Sequence, residues 1–174
     1  IGGGGHGLAA AHYLAQEQGI RDVAVLEQRY IGHGGTGRNT AIIRANYLTE
    51  EGARFYQFSV DLFRDLSRRL DFNLFYSERG HFTLAHSPAS LRTQRWRAEV
   101  NKHLGIDSAV VGPEFIKKAI PEIDLTCGGH QPPIVGALYH PPGAIARHDA
   151  VAWGYAGAAA RRGVAIHQNT TVTG

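Results

Sequence analysis

The sequence predicts an α/β fold in which a Rossmann-like dinucleotide-binding domain carries an inserted α+β domain. Two observations lead there. Gly2-x-Gly4-x-x-Gly7 opens a helix directly after an apolar residue, and Glu27 closes a short apolar strand 20 residues beyond Gly7. The chain then changes character at Asn73, to short strands and helices separated by turns, and returns to helix and strand after Gly143. A βαβ start, a mixed interior and a helix–strand return describe an open parallel sheet with an insertion. The expected division is 1–72, 73–142 and 143–174, with the first and last parts forming one layer.

Each element has a local reason. Leu8, Ala9, Ala11, Tyr13, Leu14 and Ala15 suggest a small-residue helix that ends at Gly19. Asp22 to Glu27 reads as a short buried strand of the parallel type. Gly32 to Gly37 is a glycine-rich loop, and Thr36 to Tyr47 is expected to open as a helix. Glu50 to Leu70 is the clearest helix: Phe55, Phe58, Leu62, Leu66 and Leu70 recur at helical spacing, with two acids in the first turn. Asn73–Tyr76 and His81–His86 read as strands around Glu78-Arg79-Gly80. Helices are expected over Pro88–His103 and Pro113–Ala119, and a strand over Pro132–Tyr139, broken by Pro141-Pro142-Gly143. A helix from His148 to Gly163 and a strand over Val164–Val172 complete the chain. Only Ile1 stands for the strand that should precede the glycines, so the chain is expected to be part of a longer protein, cut at both ends.

Composition narrows the function. The 174 residues are 43% hydrophobic and 19% charged, with 18 Lys and Arg against 15 acids. A net charge of +3 without a basic run argues against nucleic acid. Cys127 is alone, so no internal disulfide forms, and a reducing, cytoplasmic setting is the simpler expectation. No run of 18 apolar residues suggests a membrane span. No metal is expected: ten histidines include no His-x-x-x-His pair, and there is no Cys-x-x-Cys. The Gly-x-Ser-x-Gly elbow of serine hydrolases is also lacking.

The glycine motif carries chemistry. The first glycine permits a tight turn, the second lets backbone approach a pyrophosphate, and the third lets helix and strand pack closely. The helix N-terminus offers free N–H groups and the positive end of its dipole to phosphates. Glu27 stands where a carboxylate accepts hydrogen bonds from both ribose hydroxyls. This pattern serves NAD and FAD alike. A second loop, Gly34-Gly35-Thr36-Gly37-Arg38-Asn39, follows the strand at once and offers further donors to the same pyrophosphate.

At these residues the chain resembles the FAD-dependent amine oxidases, the family of D-amino acid oxidase and sarcosine oxidase, and most of all the beta subunits of its heterotetrameric members. The matching stretches are Ile1 to Leu8, Val23 to Glu27, Gly37 to Leu48, Arg79-Gly80 with Leu84 to His86, and Ala146 to Trp153. The resemblance implies a Rossmann-like FAD-binding domain of the glutathione-reductase type with an inserted α+β substrate domain. It implies non-covalent FAD held by Gly2, Gly4, Gly5, Gly7, Glu27, Gln28, Gly35, Thr36, Arg38, Asn39, Thr40 and Val172. It places on His148 the covalent link to a second flavin, FMN, at the interface with an alpha subunit. Arg44 matches the arginine that pairs with the substrate carboxylate, for which a guanidinium offers two parallel hydrogen bonds.

The same resemblance implies oxidative demethylation of sarcosine, with gamma and delta subunits beside alpha, and with tetrahydrofolate and NAD bound through alpha. Other small amino-acid substrates remain open, as for a proline, dimethylglycine or opine dehydrogenase. A non-catalytic dinucleotide-binding module is the third reading. The family's carboxylate-binding lysine falls beyond Gly174. His81 stands where the family usually has an apolar residue, and Ala41 where related chains often carry Thr. Read alone, Arg44 is a solvated arginine and His148 a helix-start residue whose ring packs locally. Arg147 faces either a phosphate or solvent, and Asp149 either holds the His148 ring or caps the helix.

Overall fold

A computed structural model describes residues 1–174. Its elements in chain order are α1 (Gly5–Glu17), β1 (Ala24–Leu26), a 3-10 turn (Gly35–Arg38), β2 (Ile42–Ile43), α2 (Glu50–Leu70), β3 (Ser77–Glu78) and β4 (His81–Ala85). α3 (Pro88–His103), β5 (Ala109–Val111), α4 (Pro113–Ala119), β6 (Gly136–His140), β7 (Ala144–Ile145), α5 (His148–Ala160) and β8 (Ala165–His167) follow. None of the helices is long and apolar enough to cross a membrane. The chain forms two units, one of Ile1–Ile42, Phe63–Ser77 and Ile145–Gly174, the other of Ile43–Leu62 and Glu78–Ala144.

In the first unit β1 and β8 pair in parallel, Val25 opposite Ile166. Gly2 donates its N–H to the Leu26 carbonyl at 2.8 Å, so the backbone entering α1 runs beside β1. α1 and α5 pack together through small residues: Ala11 and Ala15 are buried on one, Ala152, Ala156 and Ala159 on the other. Small side chains let two helix backbones approach closely. Gly154 of α5 instead meets the end of α2, where a Cβ would lie 3.1–3.3 Å from Leu74, Leu70 and Phe72. Leu66, Leu70 and Leu74 are fully buried. Each such leucine contributes on the order of 1.5–3 kcal/mol by leaving water. Arg161 closes the corner, donating at 2.6 Å to the Leu70 carbonyl at the end of α2. His12 is buried with its ring edge-on to Tyr155, and burial pushes its pKa down.

In the second unit β4, β6 and β5 make an antiparallel sheet with β6 in the middle. The register sets His81 opposite His140 and Phe82 opposite Tyr139. Because side chains alternate along a strand, the two faces differ. Phe82 and Leu84 join Ala137, Val111 and Ile116 of α4 in one apolar cluster, and Phe82 stacks on Tyr139 at 4.6 Å. α3 covers the other face. It starts at a Ser-Pro cap: the Ser87 hydroxyl accepts from the Ser90 N–H at 3.1 Å, and Pro88 gives up an N–H the helix would leave unpaired. A further cluster joins Ala45, Ala53, Val60 and Ile106.

The helices over 50–70, 88–103 and 113–119 lie where the sequence places them. Thr36–Tyr47 does not open as a helix. Asn39 ends the 3-10 turn, its amide donating to the Thr36 carbonyl at 2.6 Å and accepting from the Ala41 N–H at 2.7 Å, and Ala41 takes φ 60°. Asn73–Tyr76 is likewise no strand. The Asn73 side chain accepts from the Phe75 N–H and Phe75 takes φ 53°, which delays pairing to Ser77. β6 starts at Gly136 rather than Pro132, because Pro132 and Pro133 have no N–H for a ladder. The strand Ala109–Val111 is an addition to the sequence reading. The units differ from a division at 72/73 and 142/143: α2 contributes its first part to one unit and its second part to the other, and the chain crosses again after Ser77 and after Ala144.

Candidate functional site

The first unit builds a phosphate-sized cradle from backbone. The Gly4 cap offers α1 no side chain, so its first-turn N–H groups, apart from that of Gly5, which Thr36 takes, are left to an anion. Gly7 is the tightest point: a Cβ there would stand 2.1 Å from the Gly2 carbonyl oxygen. Gly2 takes φ 101°, a conformation that favours glycine, with open space beside it. Thr36 binds the second glycine loop to the first, its hydroxyl accepting from the Gly5 N–H at 2.8 Å. That hydroxyl keeps its own hydrogen to donate. Gly32 donates to the Gly3 carbonyl at 2.9 Å, and Gly37 to Gly32 at 2.8 Å. Around Gly34 and Gly35 a Cβ would meet nothing within 4 Å, so this rim has room for a ligand.

Glu27 ends β1 with 8% of its surface exposed. One carboxylate oxygen accepts from the Gly3 N–H at 2.7 Å, the other from the Arg29 N–H at 2.8 Å. These two bonds, Arg29's the stronger influence, hold its pKa below the usual carboxylate range. An ionised acid with lone pairs to spare thus faces a cleft of about 220 Å³ between Gly2, Leu26, Glu27, Gln28, Thr170 and Val172. The shape and donor set fit the ribose and pyrophosphate of a dinucleotide.

The expected cofactor residues are therefore brought together in part. Gly2, Gly4, Gly5, Gly7, Glu27, Gln28, Thr36 and Val172 border the cradle and its cleft. Gly35 lies on the open rim, and Thr40 is exposed. Arg38 donates to the His33 ring at 3.2 Å, and the Asn39 amide is spent on its own loop. Sequence reasoning missed the Gly3 N–H, which ties Glu27 to the glycine turn, and Thr170. The pairing of residues 3 and 27 has no local signal. Replacing Glu27 by Gln should weaken FAD binding by on the order of 1.5–3 kcal/mol. The amide keeps one acceptor and sets a donor against a backbone N–H. Fluorescence titration of apoprotein with FAD reads this, and unchanged affinity would mean that the acid does not touch the ribose.

Two further residues stand apart. His148 is the first residue of α5, half-buried, and its Nδ1 is enclosed without a hydrogen-bond partner. Its neighbours ignore it: Arg147 grips Asp149 through Nε at 3.0 Å and Nη2 at 2.6 Å. That pair pushes Asp149 down to about 2. Arg44 lies in the second unit, directly after β2. It donates to the Asn46 side chain at 2.9 Å, and its guanidinium lies 4.3 Å from the centre of the Tyr47 ring. Tyr47 in turn stacks on Tyr56 at 4.1 Å. The arginine is thereby held by one edge and one face, leaving other N–H groups for a carboxylate.

Residues 1–174 match the family described as FAD dependent oxidoreductase. The chain is 44% identical over its whole length to the sarcosine oxidase subunit beta of Arthrobacter sp, covering 43% of that protein. It is 45% identical to the sarcosine oxidase subunit beta of Rhizobium meliloti, covering 41% of it. The chain thus spans about two fifths of the curated relatives it matches. Among solved structures it is similar to L-proline dehydrogenase from P. horikoshii, with TM-score 0.88 and 27% identity, over 100% of this chain and 44% of that one. It also shares its fold with glycine oxidase from Bacillus cereus, with TM-score 0.82 and 21% identity, over 97% of this chain and 45% of that one.

Proposed function

This chain belongs to the FAD dependent oxidoreductase family, and from that premise we propose that the whole protein is the beta subunit of a sarcosine oxidase. The observation that carries the reading is the identity of 41–45% to three sarcosine oxidase beta subunits over all 174 residues. The reaction is the oxidative demethylation of sarcosine to glycine. The methyl carbon leaves as formaldehyde or passes to tetrahydrofolate, and oxygen becomes hydrogen peroxide. Bound FAD supplies the two-electron oxidation of the amine.

The chain's own residues supply placement and charge. The Gly2–Gly7 backbone and the α1 N-terminus hold the pyrophosphate, Thr36 donates its hydroxyl hydrogen to it, and Glu27 accepts from the ribose. Val172 and Gln28 line the adenosine side. Arg44, pre-set by Asn46 and Tyr47, binds the substrate carboxylate and so aims the N-methyl group. The first unit is the FAD-binding part and the second the substrate-side part. His148 carries FMN covalently, which places α5 at the interface with an alpha subunit. Gamma and delta complete the assembly, and alpha binds tetrahydrofolate and NAD.

Anaerobic addition of sarcosine to the purified whole complex should bleach the flavin, and a spectrum that does not change would remove the proposal. Arg44→Gln should raise the sarcosine Kd in that experiment by about ten- to a hundredfold, the loss of roughly 1.5–3 kcal/mol for a charged hydrogen bond. The likeness to L-proline dehydrogenase favours a second reading, in which the same machinery oxidises another small amino acid. A panel of sarcosine, proline, dimethylglycine and an opine, read by the same bleaching, separates the two.

A further inference from the structure

The second unit holds a group of basic side chains, Arg44, His81 and Arg97, with no carboxylate acting on His81 or Arg97. Side chains of Ala85, Thr83 and His81 alternate onto one face of the sheet with their partners Gly136, Leu138 and His140. α3 covers that face, since Leu91 stands 2.9 Å from where a Gly136 Cβ would be. Gln94, Ala98 and Asn101 are the buried positions of α3. Arg97 follows Gln94 by three residues and precedes Asn101 by four, which puts it on the same inward side. Its Nε is enclosed and has no hydrogen-bond partner. The Nδ2 of Asn46, a residue with 0% of its surface exposed, is likewise enclosed and unpaired, while its Oδ1 holds Arg44.

The charges agree with this placement. Burial pushes the Arg97 pKa down, and the Arg44 charge adds to that effect. Burial, then Arg44, His140 and Arg97, hold His81 at about 4, so it is uncharged at neutral pH. No carboxylate is among the groups acting on either residue. His140 is occupied: its Nε2 accepts from the Ala45 N–H at 3.2 Å, so its Nδ1 carries the hydrogen that bonds the Asp107 carbonyl at 2.6 Å. A partly buried Arg97 guanidinium that feels the Arg44 charge, with its Nε and the Asn46 amide enclosed and unpaired, costs stability unless an anion joins them. A single carboxylate satisfies Arg44 and leaves Arg97 and Asn46 unanswered.

We propose that Arg97 and Asn46 form a second anion subsite beside Arg44, so that the second unit receives ligands with two carboxylates, such as an amino dicarboxylic acid. This rests on Arg44 being the residue that binds the first carboxylate. His81 matters by staying small in charge: a third cation there would disturb the fit. The test uses the whole flavin-loaded protein, titrated with acetate, malonate and succinate and read by flavin difference spectra. The wild type should bind malonate or succinate at least about tenfold more tightly than acetate. Arg97→Gln should bring that ratio close to one, and Arg97→Lys, which keeps the charge but not the Nε donor, should leave an intermediate ratio. A wild-type ratio near one, or a full ratio in Arg97→Gln, overturns the subsite. If Arg97→Gln does not fold by circular dichroism, the wild type and Arg97→Lys decide, and a full ratio in the lysine variant counts against it. Arg44→Gln should weaken all three ligands. If it weakens none, the Arg44 reading has failed, and the second subsite fails with it.

Discussion

Gly7→Ala should give a protein that has lost its FAD and melts at a lower temperature even as apoprotein. The added methyl would stand 2.1 Å from the Gly2 carbonyl oxygen, about an ångström inside any contact that real Cβ atoms make. The obstructing atom is backbone and cannot rotate away. It also belongs to the segment held to β1 by the Gly2–Leu26 hydrogen bond. α1 must therefore move off the strand, carrying Leu8, which is completely buried, and Ala11 with it. Overpacking in a core costs typically 1–3 kcal/mol, and a backbone clash belongs at the upper end or beyond. The first-turn N–H groups leave the pyrophosphate position at the same time, so FAD affinity should fall by at least about a hundredfold. Calorimetric melting of the apoprotein and FAD titration read the two effects separately. An apoprotein that melts like the wild type and binds FAD as well would show that the helix and turn do not need this approach.

His148→Ala should abolish a flavin adduct altogether, the largest effect any single side chain here can have. Denaturing mass spectrometry of the assembled complex should find FMN mass on the peptide that contains His148, and none on that peptide in the variant. The His148 ring is half-buried and its Nδ1 makes no hydrogen bond, so no protein hydrogen bond at that atom competes for the ring. Asp149, the nearest acid in sequence, is taken by the two-pronged Arg147 contact and does not orient the ring. Asp149→Asn should therefore leave the adduct in place, because an exposed ion pair of this kind contributes little. An intact wild-type complex whose His148 peptide carries no flavin would leave a one-flavin enzyme.

What could be read from residues alone was whatever depends on near neighbours. α2 was legible because five apolar residues recur at helical spacing between an acidic first turn and a basic last one. α3 was legible over Pro88–His103, and the turn at Gly2–Gly7 from three glycines whose roles are local. Thr36–Tyr47 and Asn73–Tyr76 misled because an asparagine in each bonds its own backbone two residues on, a contest with regular structure that composition does not decide. β5 is three residues long and exists because β6 lies beside it.

The sequence by itself determined the α/β class, the dinucleotide turn with its acid, the long helices and the family. These follow from spacing along one chain, where period, caps and glycine positions act over a few residues. Tertiary structure alone decided what meets across the chain. It set Glu27 on the Gly3 N–H, 24 residues away, and Thr36 on Gly5, 31 residues away. It turned Asp149 to Arg147 rather than to His148, and it set the Arg44 charge against His81 and Arg97 with no carboxylate acting on either. The physical reason is that hydrogen bonds and charges act over a few ångströms of space, and only the packing of β1 on β8 and of α3 on its sheet brings those groups within reach.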